Sequence, residues 1–89
     1  MIVALRLTVH GRVQGVFYRD WTVRTARQLG LAGWVRNCPD GTVAAHVEGE
    51  ESAVRQMVEL MRSGPPDAAV ERIDEQECAL EKPSGFSRR

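Results

Sequence analysis

The chain switches between two hydrophobic periods, and the order of the switches leaves few folds open. Val3, Leu5, Leu7 and Val9 alternate with Ala4, Arg6, Thr8 and His10. This is the period-two pattern of a strand with one buried and one open face. From about residue 18 the period lengthens, and Thr22, Ala26 and Leu29 share one helical stripe. Gly30 suits a left-handed cap at the end of that helix, with Leu31 as the apolar residue after it. Residues 32–38, with Trp34 and Val35, read as a second strand. Pro39-Asp40-Gly41 is a turn signal. Val43, Ala45 and Val47 then alternate with Thr42, Ala44, His46 and Glu48, so a third strand forms a hairpin with the second. Val54, Met57, Val58 and Met61 stand at i, i+3, i+4 and i+7 and place a second helix on the core, stopped by Gly64-Pro65-Pro66. Residues 69–80 read as a fourth strand whose weaker alternation suits a bulge. The last nine residues are short and polar, with Gly85-Phe86-Ser87 the one candidate for a further edge strand.

The order β-α-β-β-α-β predicts an α+β, ferredoxin-like sandwich in one domain, residues 1–89, with two helices on one face of an antiparallel sheet. The expected strand order is 4-1-3-2. The first and second strands then run parallel with the third between them, and their C-terminal ends share one sheet edge. The loop leaving the first strand and Asn37 at the end of the second should stand about 10 Å apart, two strand spacings. The same order separates Cys38 from Cys78 by about 14 Å, beyond the ~7 Å reach of a disulfide. Two free thiols are expected.

The stretch Gly11-Arg12-Val13-Gln14-Gly15-Val16-Phe17-Tyr18-Arg19 carries the chemistry. Two glycines let the backbone turn tightly and leave N–H groups uncovered. A helix N-terminus after such a loop attracts anions through its free N–H groups and the positive end of its dipole. Arg19 falls in that first turn, where the dipole disfavours a cation. An arginine there, beside a loop built for anions, points to a bound phosphate or carboxylate. Net charge is zero, yet residues 1–36 carry six arginines against the single acid Asp20, and residues 37–89 carry six basic and eleven acidic residues. Positive charge is therefore concentrated around the loop, although the whole molecule exerts no pull on nucleic acid or membrane.

The motifs resemble those of the acylphosphatase family. Its loop signature, Gly-x-Val-Gln-Gly-Val-x-Phe-Arg, stands here as residues 11–19, with Tyr18 where Phe is usual. Its second signature, Gly-Trp-Val-x-Asn, stands as Gly33-Trp34-Val35-Arg36-Asn37, followed by Asp40-Gly41. Ala26, Leu29-Gly30-Leu31, Gly64-Pro65 and Ala68 keep the family's register. The final Ser87-Arg88-Arg89 is more polar than the family's last strand. The resemblance implies hydrolysis of acyl phosphates to a carboxylate and inorganic phosphate, without metal or other cofactor. It further implies that Arg19 and the backbone N–H groups of Gln14, Gly15, Val16, Phe17 and Tyr18 hold the phosphoryl oxygens, and that Asn37 orients the attacking water. The chemistry fits these residue types: phosphoryl transfer needs positioning and charge stabilisation, a carboxylate leaves without a general acid, and the planar fork of arginine binds two oxygens at once.

Other readings are weaker. Alone, Arg19 would be a surface arginine and Asn37 a turn residue; the spacing of the two motifs reverses both. Arg12 and Arg36 read as solvated, Trp34 and Phe17 as packing groups, and His10 and His46 as surface histidines on the open sheet face, without further ligands for a metal. Nucleic-acid binding would require aromatics on the open face of the first and third strands, and none stands there. Neither cysteine belongs to a zinc or CxxC pattern. No apolar run has the length of a membrane helix, and the apolar start ends at Leu5, so the cytoplasm is the expected compartment; the even mix of charge and the short edge strands suit a monomer.

Overall fold

A computed structural model describes residues 1–89. Its elements are β1 (Ile2–Arg12), α1 (Tyr18–Gln28), β2 (Ala32–Asn37), β3 (Val43–Glu50), α2 (Glu51–Ser63), β4 (Ala69–Glu77) and β5 (Phe86–Arg88). The sheet order is β4-β1-β3-β2-β5. The first four strands pair antiparallel, as their alternation predicts. β5 lies parallel to β2, with Gly33 opposite Phe86, so the five-stranded sheet as a whole is mixed. The fifth strand exists because Phe86, only 2% exposed, reaches the core; its polar neighbours Ser87 and Arg88 stay outside. No helix is long and apolar enough to cross a membrane.

Both helices cover one face. Leu7, Val9, Val35, Ala45 and Val47 from the sheet meet Ala26, Val54, Met57 and Met61 from the helices in one continuous cluster. The amphipathic stripes read from the sequence are the buried faces of α1 and α2. Tyr18 adds a polar tie between the two helices. Its hydroxyl donates to the Met61 carbonyl at 2.7 Å, and Thr22 Oγ1 donates back to the Tyr18 carbonyl at 2.8 Å. A phenylalanine at position 18 would fill the same space without that bond. Burial holds the Tyr18 phenol protonated well above its ordinary range.

The β1–β4 pairing slips by one residue, because His10 faces Arg72 while Gly11 faces Val70. Glu71 is thus the extra residue of a bulge, which accounts for the irregular alternation of this strand. Residues 78–85 leave the sheet edge and cross the open face as a strap.

The strap corrects the expectation of an open second sheet face. His46 is fully buried, and Ala4 and Glu48 are buried beside it. His46 Nε2 lies 2.8 Å from Glu48 Oε1, and the Glu48 carboxylate accepts the N–H groups of Glu81 and Lys82 at 2.8 and 3.0 Å. The other ring nitrogen stands 3.5 Å from Cys78 Sγ. Trp34 stacks on His46 and donates its indole N–H to Glu81. These are satisfied buried groups that staple the strap down, as buried polar atoms require. His10 stays at the surface, paired with Asp74 at 2.9 Å. Cys38 and Cys78 are free, each one residue beyond the end of its strand, β2 and β4, which stand at opposite ends of the β4-β1-β3-β2 order.

Two predictions follow from this packing. Gly33 has φ +146°, and a Cβ there would stand 1.7 Å from the His46 carbonyl oxygen. Gly33→Ala should therefore lower unfolding stability by at least ~2 kcal/mol, measured by urea denaturation; a loss under ~0.5 kcal/mol would show that the close approach is not a constraint. Burial pushes the Glu48 carboxyl up, but hydrogen bonds from His46, Glu81 and Lys82 outweigh it, and its pKa lies below the ordinary 4.5. A depressed carboxyl stabilises the fold above its unfolded pKa and loses that contribution as pH falls through the folded value. Stability of the unmodified chain should thus drop more steeply than that of Glu48→Gln below about pH 4.5. Parallel acid limbs in the two proteins would remove Glu48 from this role.

Candidate active site

The loop between β1 and α1 ends in strain. Phe17 caps α1 at φ 63°, ψ 23°, the left-handed region, which costs a bulky residue about 1–2 kcal/mol. It is also 74% exposed, so the expectation of a packing role is wrong for this side chain. The turn required to enter α1 throws the ring outward. Val13 and Val16, by contrast, are buried and anchor the loop from beneath. Gly11, still within β1, lets β4 approach closely at the bulge: a Cβ would meet the Ala69 carbonyl oxygen at 2.2 Å.

The backbone N–H groups of Gln14, Gly15, Val16 and Phe17 donate to no backbone acceptor. Successive free amides at the start of a helix form a concave anion receptor. Gln14 holds this loop in place with its side chain, whose Nε2 donates to the carbonyls of Cys38 and Thr42, both at 2.8 Å. Both acceptors lie just beyond Asn37, in the β2–β3 turn. That turn is closed by Asp40 Oδ1, which accepts from Thr42 Oγ1 at 2.6 Å and from its N–H at 3.0 Å. These bonds, the side-chain one foremost, hold the Asp40 carboxyl below its usual range.

Arg19 and Asn37 line one small cavity of about 250 Å³ with Val13, Gly15, Phe17, Tyr18, Asp20 and Arg88. The strand order brings them there: β3 alone separates β1 from β2. Of the expected site residues, Arg19, Asn37, Gly15, Phe17 and Tyr18 line this cavity. Gln14 and Val16 do not: the Gln14 side chain reaches the β2–β3 turn and the Val16 side chain is buried. Arg19 Nη1 donates to the Arg89 carbonyl oxygen at 3.1 Å, which fixes one edge of its guanidinium. Asn37 Oδ1 is buried and accepts no hydrogen bond from the protein, an expensive arrangement unless the atom serves a ligand.

Arg88 was not foreseen. Its Nη1 donates to Asp20 Oδ1 at 2.8 Å, which engages the only carboxylate lining the cavity. The pairing arises from β5, a strand too short to announce itself by alternation. A larger groove of about 660 Å³ lies between the start of β1, α2 and the end of β4; it holds neither the loop nor Arg19.

The loop-to-turn tether generates a prediction. Gln14→Ala should lower stability by about 1–2 kcal/mol and reduce kcat/KM for an acyl phosphate by about 10- to 100-fold through misplacement of the loop. Unchanged kcat/KM would show that the loop holds its shape unaided.

The chain resembles known proteins over nearly its whole length. The family model described as Acylphosphatase matches residues 5–88. A curated acylphosphatase of Rhodospirillum rubrum is 49% identical over 96% of this chain and 93% of its own length. The acylphosphatase structure from Bacillus subtilis superposes with a TM-score of 0.95 at 39% identity, covering 100% of this chain and 99% of that one. The structure from Coxiella burnetii also gives 0.95, at 36% identity, over 99% and 93% of the two chains. With the loop, the arginine and the asparagine gathered at one sheet edge, the chain belongs to the acylphosphatase family, hydrolases that act on acid anhydrides.

Proposed function

We propose that the cavity between the β1–α1 loop and the end of β2 holds the phosphoryl group of an acyl phosphate, and that Arg19 and Asn37 carry out its hydrolysis. The observation behind this reading is the row of loop N–H groups without backbone acceptors, converging with Arg19. The amides from Gln14 to Tyr18 bind phosphoryl oxygens. The guanidinium of Arg19, steadied at one edge by Arg89, offers its remaining donors to the charge that builds on those oxygens in the transition state. Asn37 Oδ1 accepts a hydrogen bond from the attacking water and so aims the water's lone pair at phosphorus. A P–O bond to water forms as the P–O bond to the acyl group breaks. The carboxylate leaves with its electron pair, and the water proton passes to a phosphoryl oxygen. The products are a carboxylate and inorganic phosphate.

The division of labour needs no metal or other cofactor. The one carboxylate in the cavity, Asp20, is engaged by Arg88, and the positive groups are supplied by the protein. The protein works as a cytoplasmic monomer in this reading. The edge strand β4 carries Glu71, Asp74, Glu75 and Glu77, and charged edges resist pairing with a second copy. Two unpaired thiols suit a reducing compartment.

The test is hydrolysis of benzoyl phosphate with EDTA present. Arg19→Lys should lower kcat/KM by about 10³-fold or more, since an ammonium cannot reproduce the fork. Asn37→Ala should lower kcat by about 100-fold while inorganic phosphate binds with nearly the same affinity. Turnover near the unmodified level in either variant would refute the role given to that residue.

A further inference from the structure

The strap side of the sheet carries a second cationic cavity. It measures about 600 Å³ and is lined by Arg6, Trp34, Arg36, Asn37, Glu81 and Arg89. Asn37 also lines the cavity of Arg19, so the two spaces adjoin at the end of β2. Three guanidinium groups crowd over one indole: the Cζ atoms of Arg89, Arg6 and Arg36 stand 4.7, 4.9 and 5.8 Å from its centroid. The single carboxylate side chain there is already engaged. Glu81 accepts from Arg6 Nη2 at 3.0 Å through Oε2 and from the Trp34 indole N–H at 3.1 Å through Oε1.

Arg36 and Arg89 are exposed, and neither guanidinium pairs with an acid. The two buried side-chain atoms of this protein without a hydrogen-bond partner, Arg6 Nε and Asn37 Oδ1, both belong to residues of this cavity. Like charges gathered around one ring repel each other, and orphaned polar atoms cost stability. An anion seated among them relieves the repulsion. A guanidinium laid against an aromatic face spends that face and keeps its N–H edge for another partner. Such edges bind oxyanions through paired hydrogen bonds. With Arg6 matched by Glu81, two positive charges are left, which a doubly charged anion balances.

We infer that this cavity is a second oxyanion site, taking a divalent anion of the phosphate class between Arg36 and Arg89 above Trp34. It uses neither Arg19 nor the β1–α1 loop, and so stands apart from the reading of the adjacent cavity. The two are nonetheless joined through the protein. Arg89 turns its side chain to this site while its carbonyl accepts from Arg19 Nη1, and Asn37 stands at the partition. Inorganic phosphate, the product of acyl phosphate hydrolysis, belongs to the class of anion that the site fits.

The experiment titrates the isotope-labelled protein with inorganic phosphate and follows two resonances, the Gly15 amide for the Arg19 cavity and the Trp34 indole N–H for this one. The indole should shift with a saturation curve of its own. Arg36→Glu should weaken that curve about tenfold and move the Gly15 curve by less than about threefold. Arg19→Ala should do the reverse. Sodium chloride at matched ionic strength should leave the indole in place. An indole that stays still under phosphate, follows the Gly15 curve in every variant, or shifts equally with chloride overturns the second site. A Gly15 amide that ignores phosphate while the indole responds overturns the phosphoryl reading of the first cavity alone.

Discussion

The two hydrogen bonds from Gln14 to the Cys38 and Thr42 carbonyls hold the candidate site together. β1 and β2 are not neighbours, because β3 lies between them. The sheet can bring the loop after β1 and the end of β2 to one edge, but it cannot set their spacing to a fraction of an ångström. One amide group does so, by donating both protons across the gap. It also accounts for the position of the glutamine, since a shorter side chain would not span from the loop to the two turn carbonyls, each of which accepts one backbone N–H within the turn besides the glutamine amide. The buried anchors Val13 and Val16 keep the loop from collapsing toward the core, and the free amides between them remain available.

The sequence was legible where structure depends on local period. The four long strands, both helices, the 4-1-3-2 order and the convergence of Arg19 with Asn37 follow from alternation, turn chemistry and the rules of split βαβ units. It was less legible wherever one segment is finished by another far along the chain. His46 reads as an exposed histidine because its own strand places it on the polar face. The groups that bury it, Cys78, Glu81 and Trp34, arrive from elsewhere. Phe17 reads as core because phenylalanine usually is, and only the left-handed turn into α1 sends it to the surface. Arg88 was invisible because a three-residue strand has no period to detect.

Electrostatics organise the two faces differently. On the strap side, the buried Glu48 carboxylate is satisfied, taking two backbone amides and a histidine. Trp34 lies beneath the guanidinium groups of Arg6, Arg36 and Arg89. On the loop side, donors are left unsatisfied and a cation sits against the positive end of a helix. The first arrangement stabilises the fold; the second stores a cost that an anion relieves. A protein of this size has few kcal/mol to spare, so the strap network offsets what the loop gives up.

The parallel seat of β5 has a consequence for when the site comes into being. Arg19 leans on the carbonyl of Arg89, seventy residues later, and Asp20 on Arg88, sixty-eight residues later. Both contacts require the segment from 78 onward to be docked against the sheet. The loop, the two helices and the four long strands can assemble while the segment from 78 onward is still unfixed. The arginine then lacks its steadying partner, and the acid of the cavity its counter-charge. A chain whose last segment has not docked lacks both contacts, so the complete site belongs only to the finished five-stranded sheet.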